Sequence, residues 1–128
     1  MDLLAVRSLV AAGSEGFVDD LRTMVDIDCG SYTPVGVNRI ADLCEQRFRS
    51  GGWTVARTPH TPAQGEPQLG DLVVGRLEGA GGPRILLVGH MDTVFDEGTV
   101  AERPFRIDGD LAYGPGVSDM KGGLLAGF

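Results

Sequence analysis

Three side chains in this sequence have the types and spacing to build a divalent-cation site, two as ligands and one as an orienter. They are His90 and Asp92, in His90-Met91-Asp92, and Asp119, in Gly116-Val-Ser-Asp-Met-Lys-Gly-Gly123. His90 follows the apolar run Ile85-Leu86-Leu87-Val88. In an extended segment, side chains two residues apart point to the same side, so His90 is placed to ligate and Asp92 to orient its ring. Asp119 sits on a glycine-rich turn, where the backbone can bend sharply and approach an ion with no Cβ in the way. Together the three read as half of a metal site.

A solitary His-x-Asp is common, and an isolated aspartate on a turn is more often a cap, so the elements around them decide the reading. Ser14-Glu15 precedes Phe17, Val18, Leu21, Met24 and Val25, the stripe of an amphipathic helix with Ser14 as its N-cap. Residues 2–12 are expected to form a separate short helix. After a turn over Cys29 to Pro34, the residues Val37, Ile40, Cys44 and Phe48 mark the inner face of a second helix, stopped by Gly51-Gly52. Beyond residue 52 the period changes. Trp53 to Arg57 alternates, Leu72 to Leu77 is apolar and β-branched, and Arg84 to Val88 is a continuous apolar run of the kind buried on both faces.

Between the first two of these strands, Thr58 to Gly70 reads as a surface loop containing His60, which lies far from any acid cluster. Phe105 to Ile107 and Leu111 to Tyr113, joined by Asp108-Gly109-Asp110, predict a hairpin, and Gly122 to Phe128 the first turns of a helix. The fold class is α/β, a mixed sheet flanked by helices. Residues 1–52 are helical, 53–113 hold strands and the hairpin, and 114–128 hold the metal loop and the start of a helix. Pattern alone leaves a small α+β domain as the alternative. His90 stands at the carboxyl end of a strand, where open α/β sheets gather their ligand sites.

Composition narrows the function classes. At 128 residues with 42% hydrophobic and 23% charged residues, the chain has the make-up of one soluble globular domain. The net charge of −7 carries no basic stripe, which argues against nucleic acid and leaves a small molecule as the expected partner. No apolar stretch is long enough for a membrane span. The acid at Asp2 precedes the first apolar residues, against a secretory signal, so a cytoplasmic location is expected. Cys29 and Cys44 fit no C-x-x-C pattern and read as free, buried or half-buried thiols.

The stretches Ile85-Leu-Leu-Val-Gly-His-Met-Asp-Thr-Val-Phe95, Pro104-Phe105-Arg106 with Gly109-Asp110, and Ala112-Tyr-Gly-Pro-Gly-Val-Ser-Asp-Met-Lys-Gly-Gly123 carry a family resemblance. The chain resembles the start of an M20 family metallopeptidase, the group that includes glutamate carboxypeptidase, acetylornithine deacetylase and succinyl-diaminopimelate desuccinylase. Within it the wording is most similar to the glutamate carboxypeptidase branch. The resemblance is specific from about residue 84 onward and looser before residue 58. It implies the amino-terminal portion of a zinc-exopeptidase-like catalytic domain, truncated here. Leu124, Leu125 and Phe128 are accordingly expected to lack a complete apolar partner surface.

The same resemblance implies two zinc ions, with Co2+ as a substitute. It makes His90 a terminal ligand, Asp119 the carboxylate shared by both ions, and Asp92 the catalytic-site partner of the His90 ring. It also implies a cis peptide bond at Asp119-Met120. The implied reaction is cleavage of an amide bond by a metal-bridging hydroxide, releasing a C-terminal residue such as glutamate from a small peptide. The general-base glutamate of that reaction has no match in these residues, so the isolated chain is expected to be inactive; separately, the full-length enzyme is expected to be a homodimer. The rival readings are a deacylase of N-acyl amino acids and a non-catalytic interaction module. A phosphate binder is excluded because no G-x-x-x-x-G-K-[ST] occurs. Lys121 is expected to be a solvated charge, and Asp96, Glu97, Asp108 and Asp110 exposed loop acids.

Overall fold

The computed structural model describes residues 2–128. Helix α1 spans Leu3–Val25 and helix α2 Pro34–Ser50; strands β1 (Thr54–Thr58) and β2 (Leu72–Arg76) follow. The short helix α3 (Thr99–Glu102), strands β3 (Arg106–Asp108) and β4 (Leu111–Tyr113), a π-type turn over Val117–Lys121 and helix α4 (Gly122–Gly127) complete the order.

Helix α1 is longer than its stripe predicts. It begins at Leu3, capped by the Asp2 carboxylate, which accepts from the Leu4 N–H at 2.9 Å. Ser14 is no cap: its hydroxyl donates to the Ala11 carbonyl at 2.9 Å inside a continuous helix, the usual outlet for a serine caught in mid-helix. The expected separate helix over 2–12 is therefore the first half of α1, and those residues are exposed.

The predicted stripes meet in one core. Leu21, Met24 and Val25 of α1 pack with Val37, Ile40 and Cys44 of α2, joined by Ile27 and Cys29 from the connection and by Phe105 and Leu125. Gly36 is required on this face, because a Cβ there would run into the Asp28 carbonyl. Cys29 and Cys44 are both free and buried, and burial pushes the Cys44 thiol up to about 11. Leu125 and Phe128 do find partners: Leu125 is buried, and the Phe128 ring meets Phe48 edge-on at 4.8 Å.

Strands β1 and β2 form an antiparallel hairpin, Thr54 opposite Arg76 and Thr58 opposite Leu72. Arg57 ties it to α2, bonding Asp71 at 2.7 Å, Glu45 at 3.7 Å and Asp42. In the loop between them, His60 Nδ1 accepts from the Leu69 N–H at 3.1 Å, a turn-holding role. Strands β3 and β4 form the second hairpin, with Arg106 opposite Tyr113. The parallel component among the described residues is a single bridge, Gly30 with Thr93.

The expected buried strand at Arg84 to Val88 is not formed. These residues belong to no strand, and Ile85, Leu86 and Val88 are each more than four-fifths exposed, at 83%, 84% and 82%. A strand of that composition needs a ladder on each edge and a cover on each face, and both hairpins here close on themselves. No helix among the described residues is long and apolar enough to cross a membrane.

Candidate metal centre

The ring of His90 is held from both sides. Its Nδ1 lies 3.0 Å from the Asp92 carbonyl and 3.2 Å from Asp92 Oδ1. Two acceptors there keep the proton on Nδ1 and turn Nε2 outward. Nε2 then meets Asp119 Oδ1 at 2.8 Å, while the His90 backbone N–H donates to Met120 Sδ at 3.3 Å. The hydrogen bond to Asp119 is the main force raising the His90 imidazole above its ordinary value, with the Asp92 acceptors adding to it and partial burial opposing it.

Asp119 reaches this place because the turn over Val117–Lys121 breaks helical geometry at it. Asp119 (φ −129°, ψ 93°) and Met120 (φ −133°, ψ 36°) are non-helical, and the peptide bond between them is cis. Gly116 opens the turn at φ 76°, a left-handed conformation that suits glycine. Asp92 is anchored on its far oxygen, Oδ2, which accepts a hydrogen bond from Ser31 Oγ.

The three residues singled out in the sequence, His90, Asp92 and Asp119, are thus brought into one cluster, on a cleft of about 370 Å³ that Phe95, Arg103 and Tyr113 also line. A larger cavity of about 460 Å³, between Met24, Phe48, Trp53 and Phe128, holds none of them. The donor chemistry fits a divalent cation. An imidazole nitrogen oriented by a carboxylate and a second carboxylate oxygen face one another, so a cation would take the place of the proton they share. The set is partial, since the described residues contain no group of three or more His, Cys, Asp or Glu placed to hold a metal.

Sequence reasoning missed three contributors. Lys121 is not solvated but 1% exposed, its Nζ donating to the Ile27 carbonyl at 3.2 Å. Its position in a polar, glycine-rich stretch hid the burial, which is set by the α1–α2 connection behind it. Ser31 read only as a turn residue, and Met120 carried no signal. The acids Asp96, Glu97, Asp108 and Asp110 are exposed, as expected.

Comparison with known proteins falls on the same residues. Residues 86–128 match the pattern of Peptidase family M20/M25/M40, a segment that contains His90, Asp92 and Asp119. Over that segment the chain is similar to members of that family. It is 38% identical over 106 residues to carboxypeptidase G2 of Pseudomonas sp. (strain RS-16), covering 83% of this chain and 25% of that protein. It is 34% identical over 103 residues to succinyl-diaminopimelate desuccinylase of Rhizorhabdus wittichii, covering 78% of this chain and 26% of that one. The chain therefore spans about a quarter of the length of these two M20-type relatives.

Proposed function

We propose that the gene product carrying this chain is a zinc-dependent amidohydrolase of the M20 type, a carboxypeptidase that releases a C-terminal amino acid such as glutamate. The observation that carries the reading is the convergence of His90 Nε2 and Asp119 Oδ1, 2.8 Å apart, on the cleft. Higher identity and wider coverage with carboxypeptidase G2 support the carboxypeptidase branch.

In this reading His90 and Asp119 hold zinc, and Co2+ would serve in its place. A bound divalent cation polarises a carbonyl and lowers the pKa of water. The chain's own residues do the positioning. Asp92 keeps the Nδ1 proton in place and so presents Nε2 as a lone pair, and Ser31 holds Asp92 still. No glutamate lines the cleft among the described residues, and in this reading the proton shuttle is a glutamate supplied from outside them. A cytoplasmic location, a homodimeric assembly and a small peptide substrate belong to the same proposal.

The runner-up is a deacylase of N-acyl amino acids, favoured by the 34% identity to a desuccinylase. Assay of the zinc-loaded gene product on folyl-glutamate and acetylornithine analogues separates the two. We expect release of glutamate from the first, reduced at least about a hundredfold by His90→Ala or Asp119→Ala. Hydrolysis of the acetylornithine analogue alone would transfer the assignment to the deacylases, and wild-type activity in His90→Ala would end the metal reading.

A further inference from the structure

The loops that carry His90 and Asp119 have little regular structure of their own. The run before His90 is exposed and unpaired, and Asp119 lies in a non-helical turn ahead of a six-residue helix. Yet a ligand pair must be held in near-fixed geometry to bind a cation well. The restraint comes from the connection between α1 and α2, residues Asp26 to Ser31.

Both loops are fastened to it. On one side Ser31 Oγ donates to Asp92, the Ser31 N–H donates to the Thr93 carbonyl at 3.0 Å, and the Thr93 N–H donates to the Cys29 carbonyl at 2.9 Å. On the other, Lys121 passes beneath the Asp119 turn, its side chain against Gly116, and its ammonium reaches the Ile27 carbonyl at 3.2 Å. Among the described residues no carboxylate forms an ion pair with this 1% exposed ammonium, whose other neighbour is the Cys29 thiol. A buried cation is costly, and one bonded to a backbone carbonyl fixes the two segments it joins.

We propose that the Asp26–Ser31 connection is the clamp that sets the spacing of the two metal ligands, with Ser31 and Lys121 as its positioning residues. Ser31 acts through Asp92 on His90, and Lys121 acts through the Val117–Lys121 turn on Asp119. The inference rests on the reading of His90 and Asp119 as ligands.

The test uses the zinc-loaded gene product and the variants Ser31→Ala, Ser31→Thr, Lys121→Met and His90→Ala. Zinc affinity is read by competition with a chromophoric chelator, together with kcat, KM and the melting temperature. Ser31→Ala and Lys121→Met should each weaken zinc binding about tenfold to a hundredfold and lower kcat, with KM near wild type. Ser31→Thr, which keeps the hydroxyl, should restore both. If Lys121→Met does not fold, the Ser31 pair decides. Melting temperatures that fall while zinc affinity and kcat stay at wild type would reduce Ser31 and Lys121 to structural residues and overturn the clamp. Unchanged zinc affinity in His90→Ala would instead overturn the ligand reading beneath it.

Discussion

His90 is surrounded by acceptors, and that has a consequence for protons and for metal. Asp119 bonded to Nε2, with Asp92 at Nδ1, favours the charged imidazolium, so the folded-state pKa lies above the unfolded one. The pair therefore stabilises the fold fully below the ordinary histidine range, and that contribution is lost as pH rises through the raised value. Zinc runs the other way, because it must displace the proton on Nε2; its affinity rises with pH until that raised value is passed. A carbon-detected titration of the His90 ring should give a midpoint above 6.5, falling toward 6.5 in Asp119→Asn. An unchanged midpoint in the variant would mean the contact does not form in solution. His90, Asp92 and Asp119 were legible as a set because their types are chemical and their spacing sits beside glycines and an apolar run. Lys121 was not, because a lysine's burial depends on what lies behind it, and Ile27 and Cys29 are some ninety residues away in the chain.

At the scale of elements, the sequence pattern predicted helix α2, strands β1 and β2, the β3–β4 hairpin and the start of α4, while the pairing of β1 with β2 in a hairpin of their own emerged only in the structure. The extent of α1 was hidden by Ser14, a good cap in isolation that a helix already under way simply incorporates. The connection between the β1–β2 hairpin and α2 depends on Arg57, three-quarters covered and bonded to Asp71, Asp42 and Glu45. Arg57 holds the Asp71 carboxyl below its usual range, so this contribution is present above the unfolded value and is lost as pH falls through the lowered one. Arg57→Ala should destabilise the protein by about 1–2 kcal/mol at neutral pH, and by less in acid, as read by denaturant unfolding. Equal losses at both pH values would show that packing of the arginine stem, not the ion pairs, joins the hairpin to the helix.

For the molecule as a whole, the neutral imidazole of His90 and the single carboxylate of Asp119 leave most of the charge of two divalent cations uncompensated, which is heavily unfavourable in a partly dry cleft. The 128 residues alone should accordingly bind zinc weakly in calorimetry; a submicromolar, stoichiometric site abolished by His90→Ala would contradict this. The exposure of Ile85 to Val88 belongs to the same scale. The run has the composition of a central strand, but composition states only what a segment can bury, while its neighbours decide whether it does.

Sequence by itself determined the donor types, the helix stripes, the turn of the β3–β4 hairpin and the resemblance to the M20 family, because each is a local property of residues and their order. Tertiary structure alone decided that Ser31 grips Asp92, that Lys121 is buried against Ile27, and that Nε2 of His90 faces Asp119. Those contacts join segments distant in the chain, and the free energy of such a contact depends on the packing that brings the segments together, which no short stretch of sequence contains.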